Sequence, residues 1–371
     1  MPSNVQKPQP GGLVDRWGII ASTLRLFPVA IGSFAIILVI AATTIYFPDY
    51  ECLSTWIAFV FMCAVPFQLV MGMLWHTNYP AFLKGLGQPV KGCLLTLMTA
   101  GVAGFISTIL FHTVGGSVGP PTPMLSNYSV MTIVVTFWLL PVMNCWPASK
   151  FTNHPLALGA WILVACYGLA YVLYQVFFDF SPLAAAPSYV EALDPKGMFN
   201  NASALSFFVT TSIFILMLLL SEMKLVTAVV GEHAQPVAGL IITTVVMLAT
   251  ACCWFFFVKV LGLDPMIYMA RVPVCTLFGI FLVDSMMQHR MFEGMAQPTR
   301  GIALSIGAVI YGIVMYYVYA AAGPVLAKTA LLSGPPHYGM ELWIANSLLG
   351  ITFPIIVMVT AYFDFWPVKK Q

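Results

Sequence analysis

Gln235-Pro236-Val237-Ala238-Gly239 and Gln297-Pro298-Thr299-Arg300-Gly301 are one phrase written twice, and Gln88-Pro89-Val90-Lys91-Gly92 is a third copy. Each stands between two long apolar runs and opens the second. Proline lacks the N–H that the first helical turn cannot use, and its fixed φ suits that turn, so Gln-Pro marks a helix start. The residue before proline is driven towards an extended conformation, from which its side chain can cap. His154-Pro155 with Gly159 is a variant one residue longer, and Pro28 with Gly32 opens the first run in a similar way. Glu222 lies thirteen residues before Gln235, and Asp284 thirteen before Gln297. This spacing predicts two carboxylates at equivalent places in two copies of one unit.

The runs between these phrases are long enough to cross a bilayer, which takes about 20 apolar residues. Ten qualify, at 27–47, 55–76, 92–113, 129–146, 156–178, 203–228, 237–261, 272–288, 301–323 and 343–366. The 371 residues are 60% hydrophobic and 8% charged, with a mean hydropathy of +0.92, whereas a soluble domain is about 25% charged. The expected fold is an all-α polytopic membrane protein of ten transmembrane helices, arranged as five tandem helical hairpins. One transmembrane domain, 27–366, then lies between an N-terminal tail, 1–26, and a C-terminal tail, 367–371. A formal net charge of +2 gives no basis for a nucleic-acid partner. The eight cysteines have neither CxxC spacing nor a neighbouring histidine, and read as small apolar residues.

Lys196, Lys259, Arg271 and Lys328 fall on one side of this layout, and the other eleven of the 15 Lys and Arg fall on the side of the termini. The positive-inside rule then predicts a multi-pass protein of the cytoplasmic (inner) membrane with both termini in the cytoplasm.

Charge inside an apolar helix costs about 2.5–3.5 kcal/mol on insertion scales, so it needs a partner or a task. Glu222, expected in the cytoplasmic third of helix 6, and Asp284, expected within helix 8, are candidates for coupling or gating. Lys224, Gln68 and Asn144 are further polar groups on even helices. Bundle-holding bonds and a proton, cation or substrate site both fit these residues. Gln88, His154, Gln235, Gln297 and Asp364 are expected to ring the cytoplasmic mouth. The six histidines show no HxxxH, HxxH or HExxH spacing, and no nucleophile elbow or nucleotide-binding glycine pattern occurs. No catalytic residue, metal ligand or cofactor is assigned. Gly92, Ala100, Gly101, Ala103 and Gly104 in helix 3, and Gly301, Gly307 and Gly312 in helix 9, suggest odd helices inside and even helices outside.

Ten helices in five tandem hairpins, with Pro28, Pro89, Pro155, Pro236 and Pro298 opening the odd ones, resemble the tellurite-resistance/dicarboxylate transporter and slow anion channel family. The resemblance lies in the layout of the whole chain rather than in a specific motif. It implies a quasi-fivefold ring of inner odd helices around an anion pore; Glu222 and Asp284 would then sit on outer helices, where that mechanism has no use for them. The functional expectation is a transporter or channel for a small, perhaps anionic, solute, coupled to protons if the carboxylates take part. The rival expectation is a membrane subunit of an enzyme or redox complex that uses histidines and carboxylates of the cytoplasmic face. Its partners are the lipid bilayer and the solute, with a homo-oligomer or other membrane subunits left open.

Overall fold

The computed structural model describes residues 23–369. Most of the N-terminal tail, with Lys7 and Arg16, and Lys370 at the other end lie outside that range. The ten long apolar helices are α1 (Phe27–Tyr46), α2 (Tyr50–Leu74), α3 (Val90–Thr113), α4 (Pro123–Val142), α5 (Pro155–Phe177), α6 (Asn201–Leu220), α7 (Val237–Val260), α8 (Pro265–Met286), α9 (Thr299–Leu326) and α10 (Gly339–Tyr362). Each is long and apolar enough to span a membrane, so the all-α polytopic class expected from the sequence holds. Strand structure among the described residues is one short parallel pairing, Phe178–Asp179 with Phe199–Asn200, in the loop after α5.

The even helices form a closed ring: α2 packs on α4, α4 on α6, α6 on α8, α8 on α10, and α10 returns to α2. Each odd helix lies outside, over a seam between two of them. Thus α3 covers α2 and α10, α5 covers α4 and α2, α7 covers α6 and α4, α9 covers α8 and α6, and α1 covers α10 and α8. In their most apolar stretches, the even helices have 67–72% of residues buried and the odd helices 17–28%.

This reverses the expected order, in which the odd helices were inside. The five prolines open outer helices. The physical reason is that the bilayer is as apolar as the bundle, so a glycine-rich face need not be turned inward. Gly101 and Gly104 of α3 face open space, where an added Cβ would meet nothing within 4 Å. The centre of the ring is filled instead by large side chains.

The packing also shifts the boundary of the repeat. Each inner helix packs closely along the odd helix that follows it, α2 with α3, α4 with α5, α6 with α7 and α8 with α9. The repeating hairpin is therefore an even helix, a connector on the proline side and the next odd helix. α10 has no following span, and α1 takes that place.

The even helices end alike. Two consecutive residues with positive φ stop each one: His76-Thr77, Asn144-Cys145, Glu222-Met223, Gln288-His289 and Asp364-Phe365. Left-handed backbone on a helix end turns its last N–H groups back onto free carbonyls. Accordingly Thr77 N donates to Met71 O, Cys145 N to Leu139 O and Phe365 N to Val359 O, at 2.9–3.0 Å. In α6 and α8 the bonds are one residue shorter, Met223 N to Leu218 O and His289 N to Asp284 O.

A candidate functional site at the ring axis and its proline-side mouth

Phe281 of α8 stacks on Phe353 of α10, with ring centroids 4.0 Å apart, and on Phe137 of α4 at 6.4 Å. α4 and α8 are not neighbours in the ring, so these rings meet across its middle. Together they put three aromatic side chains at the middle of the ring.

Asp284 lies one turn from Phe281 towards the proline side. Its side chain is 31% exposed, and its Oδ1 is 2.9 Å from His289 Nδ1. That hydrogen bond raises the His289 pKa above its usual 6.5, against partial desolvation and the Arg300 charge. Arg300 is fixed by two backbone carbonyls of the same connector, with Nη2 donating to His289 O at 2.6 Å and Nε to Met291 O at 3.0 Å. The connector after α8 is thus held by an Asp-His pair on one side and an arginine staple on the other.

The five inner helices stop on polar residues scattered along the sequence. His76, Asn144, Glu222, Gln288 and Asp364 occupy equivalent positions, each the first residue of the left-handed pair. Asn144, Glu222 and Asp364, expected at the site, are therefore matched by fold. His76 and Gln288 were not grouped with them, because the common signal is a backbone conformation rather than a residue type. Asp364 is paired with Lys369 Nζ at 2.9 Å, and Glu222 Oε1 accepts from Gln297 Nε2 at 3.3 Å.

Several expectations are corrected here. α6 ends at Leu220, so Glu222 and Lys224 stand in the connector, both exposed, rather than inside the helix. Asp284 lies in the last turn of α8 rather than its middle. Nor are Glu222 and Asp284 equivalent: the stop-pair register matches Glu222 with Gln288 and Asp284 with Leu218. The equal spacing to Gln-Pro is coincidental, because the connector after α6 contains an extra helical turn, Thr227–Val230.

The three Gln-Pro glutamines do not line a mouth. Gln88 Nε2 donates to Tyr362 O of α10 (2.7 Å), Gln235 Nε2 to Val142 O of α4 (3.0 Å) and Gln297 Nε2 to Leu220 O of α6 (3.1 Å). Each Oε1 accepts the N–H of the glycine that completes its phrase, all at 3.1 Å. One amide thus satisfies a free carbonyl at an inner helix end and a free N–H at an outer helix start. The glycine follows from the same contact. A Cβ on Gly92 would strike Phe363, one on Gly239 Met143, and one on Gly301 Ser221. In the variant phrase the roles are exchanged: Trp75 Nε1 donates to Pro155 O at 2.7 Å, and its indole lies where a Cβ on Gly159 would go. His154 is exposed and makes no side-chain cap on α5.

Gln68 is buried in α2, and its Nε2 donates to Pro354 O of α10 at 3.2 Å. This bond joins adjacent inner helices. Cys63, Cys145, Cys166 and Cys275 are buried as expected, whereas Cys52, Cys93 and Cys252 are exposed on the outside of the bundle. Among the described residues no three His, Cys, Asp or Glu side chains are grouped to hold a metal.

On the opposite face the structure adds a carboxylate that sequence reading passed over. Glu341, at the start of α10, is 2% exposed. It accepts from Ser333 Oγ and from Gly334 N, tying down the loop before α10. Tyr338 OH donates to Asp264 Oδ2 at 3.0 Å, and Asp264 caps the start of α8 through Met266 N at 2.8 Å. Four inner helices also carry threonine at matched depth, Thr132, Thr210, Thr276 and Thr352, all buried. Thr210 and Thr352 bond Tyr268 OH and Tyr319 OH across helices. Counting back twelve residues from the stop pairs of α4, α6, α8 and α10 reveals this row in the sequence; the same count in α2 falls on Ala64.

No family model, curated protein or solved structure matches this chain. The fold and site define an all-α multi-pass membrane protein with a closed inner ring.

Proposed function

We propose that the protein is a transporter or channel for a small solute whose path follows the axis of the inner ring and is closed at Phe281. The observation that carries this is the aromatic contact across the ring from α8 to both α4 and α10. Beside the aromatic contact, one turn towards the proline side, stands the Asp284 carboxylate, 31% exposed. Asp284, reached from the proline-side mouth and paired with His289, is the coupling or gating group in this reading.

The charge of the solute follows from the helix ends. The inner helices point their C-termini, the negative ends of their dipoles, at the proline-side mouth. Glu222, Asp284 and Asp364 lie there as well. Both features favour a proton or small cation at this mouth and give less support to the anion expected from the sequence. The outer helix N-termini, the positive ends of their dipoles, lie over the seams of the ring. The Lys and Arg excess on the proline side supports a cytoplasmic orientation of that side, in a cytoplasmic membrane.

The test is flux in proteoliposomes carrying the full chain, with pH, potassium and chloride gradients. Phe281→Ala is expected to raise flux of the transported ion severalfold, and Asp284→Asn to abolish its pH dependence. Equal, low flux for wild type and Phe281→Ala in all three gradients would defeat the proposal.

A further inference from the structure

Four of the five seams between the layers are tied at the proline side, and the fifth is not. Gln88 at the start of α3 holds Tyr362 O of α10, Gln235 of α7 holds Val142 O of α4, Gln297 of α9 holds Leu220 O of α6, and Trp75 of α2 holds Pro155 O of α5. The remaining seam is α1 over α8. There α1 opens with Leu26-Phe27-Pro28, and Phe27 stands where the other openings have Gln or His. Met286 O of α8 matches the three held carbonyls in register, two residues before the stop pair. Among the described residues no side chain of α1 bonds it. Thr23 reaches the connector instead, where its Oγ1 accepts from Phe292 N at 3.3 Å.

The untied end is the one that carries Phe281 and Asp284. Its last turn, Leu282–Met286, is a π turn that begins directly after Phe281 and contains Asp284; such turns are frequent at functional sites. α2, α4 and α10 end in similar turns, Val70–Leu74, Trp138–Val142 and Met358–Tyr362, but each of those is tied across its seam. In α8 the polar bonds at the end lie within its own hairpin: Asp284 to His289, and Arg300 of α9 to the carbonyls of His289 and Met291. The influences on His289 are opposed. The Asp284 bond raises its pKa, while partial desolvation and Arg300 lower it. Of the other charges at this face, Arg290 and Glu293 of the connector pair with each other, and Asp364 at the end of α10 pairs with Lys369.

We propose that the α8 end is the moving element of the inner ring and that the Asp284–His289 bond is its latch, closed while His289 carries a proton and released as the proline-side pH rises. Release frees the π turn and shifts Phe281 away from Phe137 and Phe353. The consequence for a solute rests on the transport reading, whereas the motion itself does not. With the His289 side chain 69% exposed, solvent weakens the bond, so latching changes the open population by only about threefold.

Hydrogen–deuterium exchange of the full chain in lipid nanodiscs, read at residues 287–291 against residues 142–146 of the tied α4 end, tests the latch. Taking the ratio within one sample cancels the pH dependence of exchange itself. Between pH 6 and pH 9 the ratio is expected to rise about threefold in wild type. Asp284→Asn and, as a second variant should the first misfold, His289→Gln are expected to show no such rise. Gln235→Ala cuts the tie on α4 and is expected to speed exchange of 142–146, measured against the α10 end, equally at both pH values. A constant ratio in wild type, or the wild-type rise in a folded Asp284→Asn variant, would overturn the proposal. The expected rise in a protein that carries no flux in proteoliposomes would keep the latch and remove the transport reading.

Discussion

The inner and outer helices are almost equal in hydropathy and opposite in burial. Their most apolar stretches average 1.5–2.2 inside and 1.9–2.3 outside. Hydropathy therefore reports that a helix crosses the membrane and says nothing of whether protein or lipid surrounds it. What separates the two sets is how they end and what lies across from them. Inner helices stop on a left-handed pair, and four of the five outer helices, α3, α5, α7 and α9, start on a clamp that reaches back to those stops.

The sharpest way to break this comparison is to change one atom where the two layers touch most closely. A Cβ on Gly279 of inner α8 would collide with the backbone carbonyl of Ala308 in outer α9. Gly279→Ala is expected to cost about 3 kcal/mol, as overpacking at a rigid contact does. The same change at Gly101, on the lipid side of α3 with open space around it, is expected to stabilise by about 0.5–1 kcal/mol, because alanine loses less backbone entropy in a helix. Thermal melting in one detergent compares them, and equal melting temperatures would sink the two-layer assignment.

The clamps come next. Gln297→Ala removes the donor to Leu220 O and the acceptor of Gly301 N, both partly buried, at an expected cost of about 1–3 kcal/mol. His154→Ala touches the one phrase in which a tryptophan does this work, and is expected to change stability by less than about 0.5 kcal/mol. If both variants melt alike, the phrase is a helix opening and nothing more.

The smallest effect is in pH. His289 has its pKa raised by Asp284, so their bond stabilises the folded chain fully below pH 6.5 and fades as pH rises through the higher folded value. With 69% of the histidine side chain exposed, solvent screening holds the effect below about 1 kcal/mol. Melting followed from pH 6 upward should show wild type losing this increment and Asp284→Asn lacking it. An identical slope in both would remove the pair from the account.

Some of the site could be read from residues alone. Asp284 stood out because a carboxylate beside an apolar run needs a partner, and the structure supplies His289. Asn144, Glu222 and Asp364 were named singly, but nothing in their identities relates them to His76 or Gln288. Five different side chains occupy one backbone position, and left-handed φ is a property of the turn that each helix end makes. Gln88, Gln235 and Gln297 stood out for the same reason as the prolines beside them, and the cap expected of them proved right in kind. Their second contact, to an inner helix two or more spans away, is not a local property. Phe281 had no distinguishing mark among 27 phenylalanines; only closure of the ring brings it opposite Phe137.

Composition and spacing thus settle the spanning helices, their number and their opening phrases, because the cost of burying polar backbone in a bilayer acts on each segment separately. Which helices lie inside, which pairs pack and which aromatic side chains meet on the axis come from tertiary structure. In a bilayer no solvent contrast sorts one apolar helix from another, so packing shape and the bonds between helix ends decide the order of the ring.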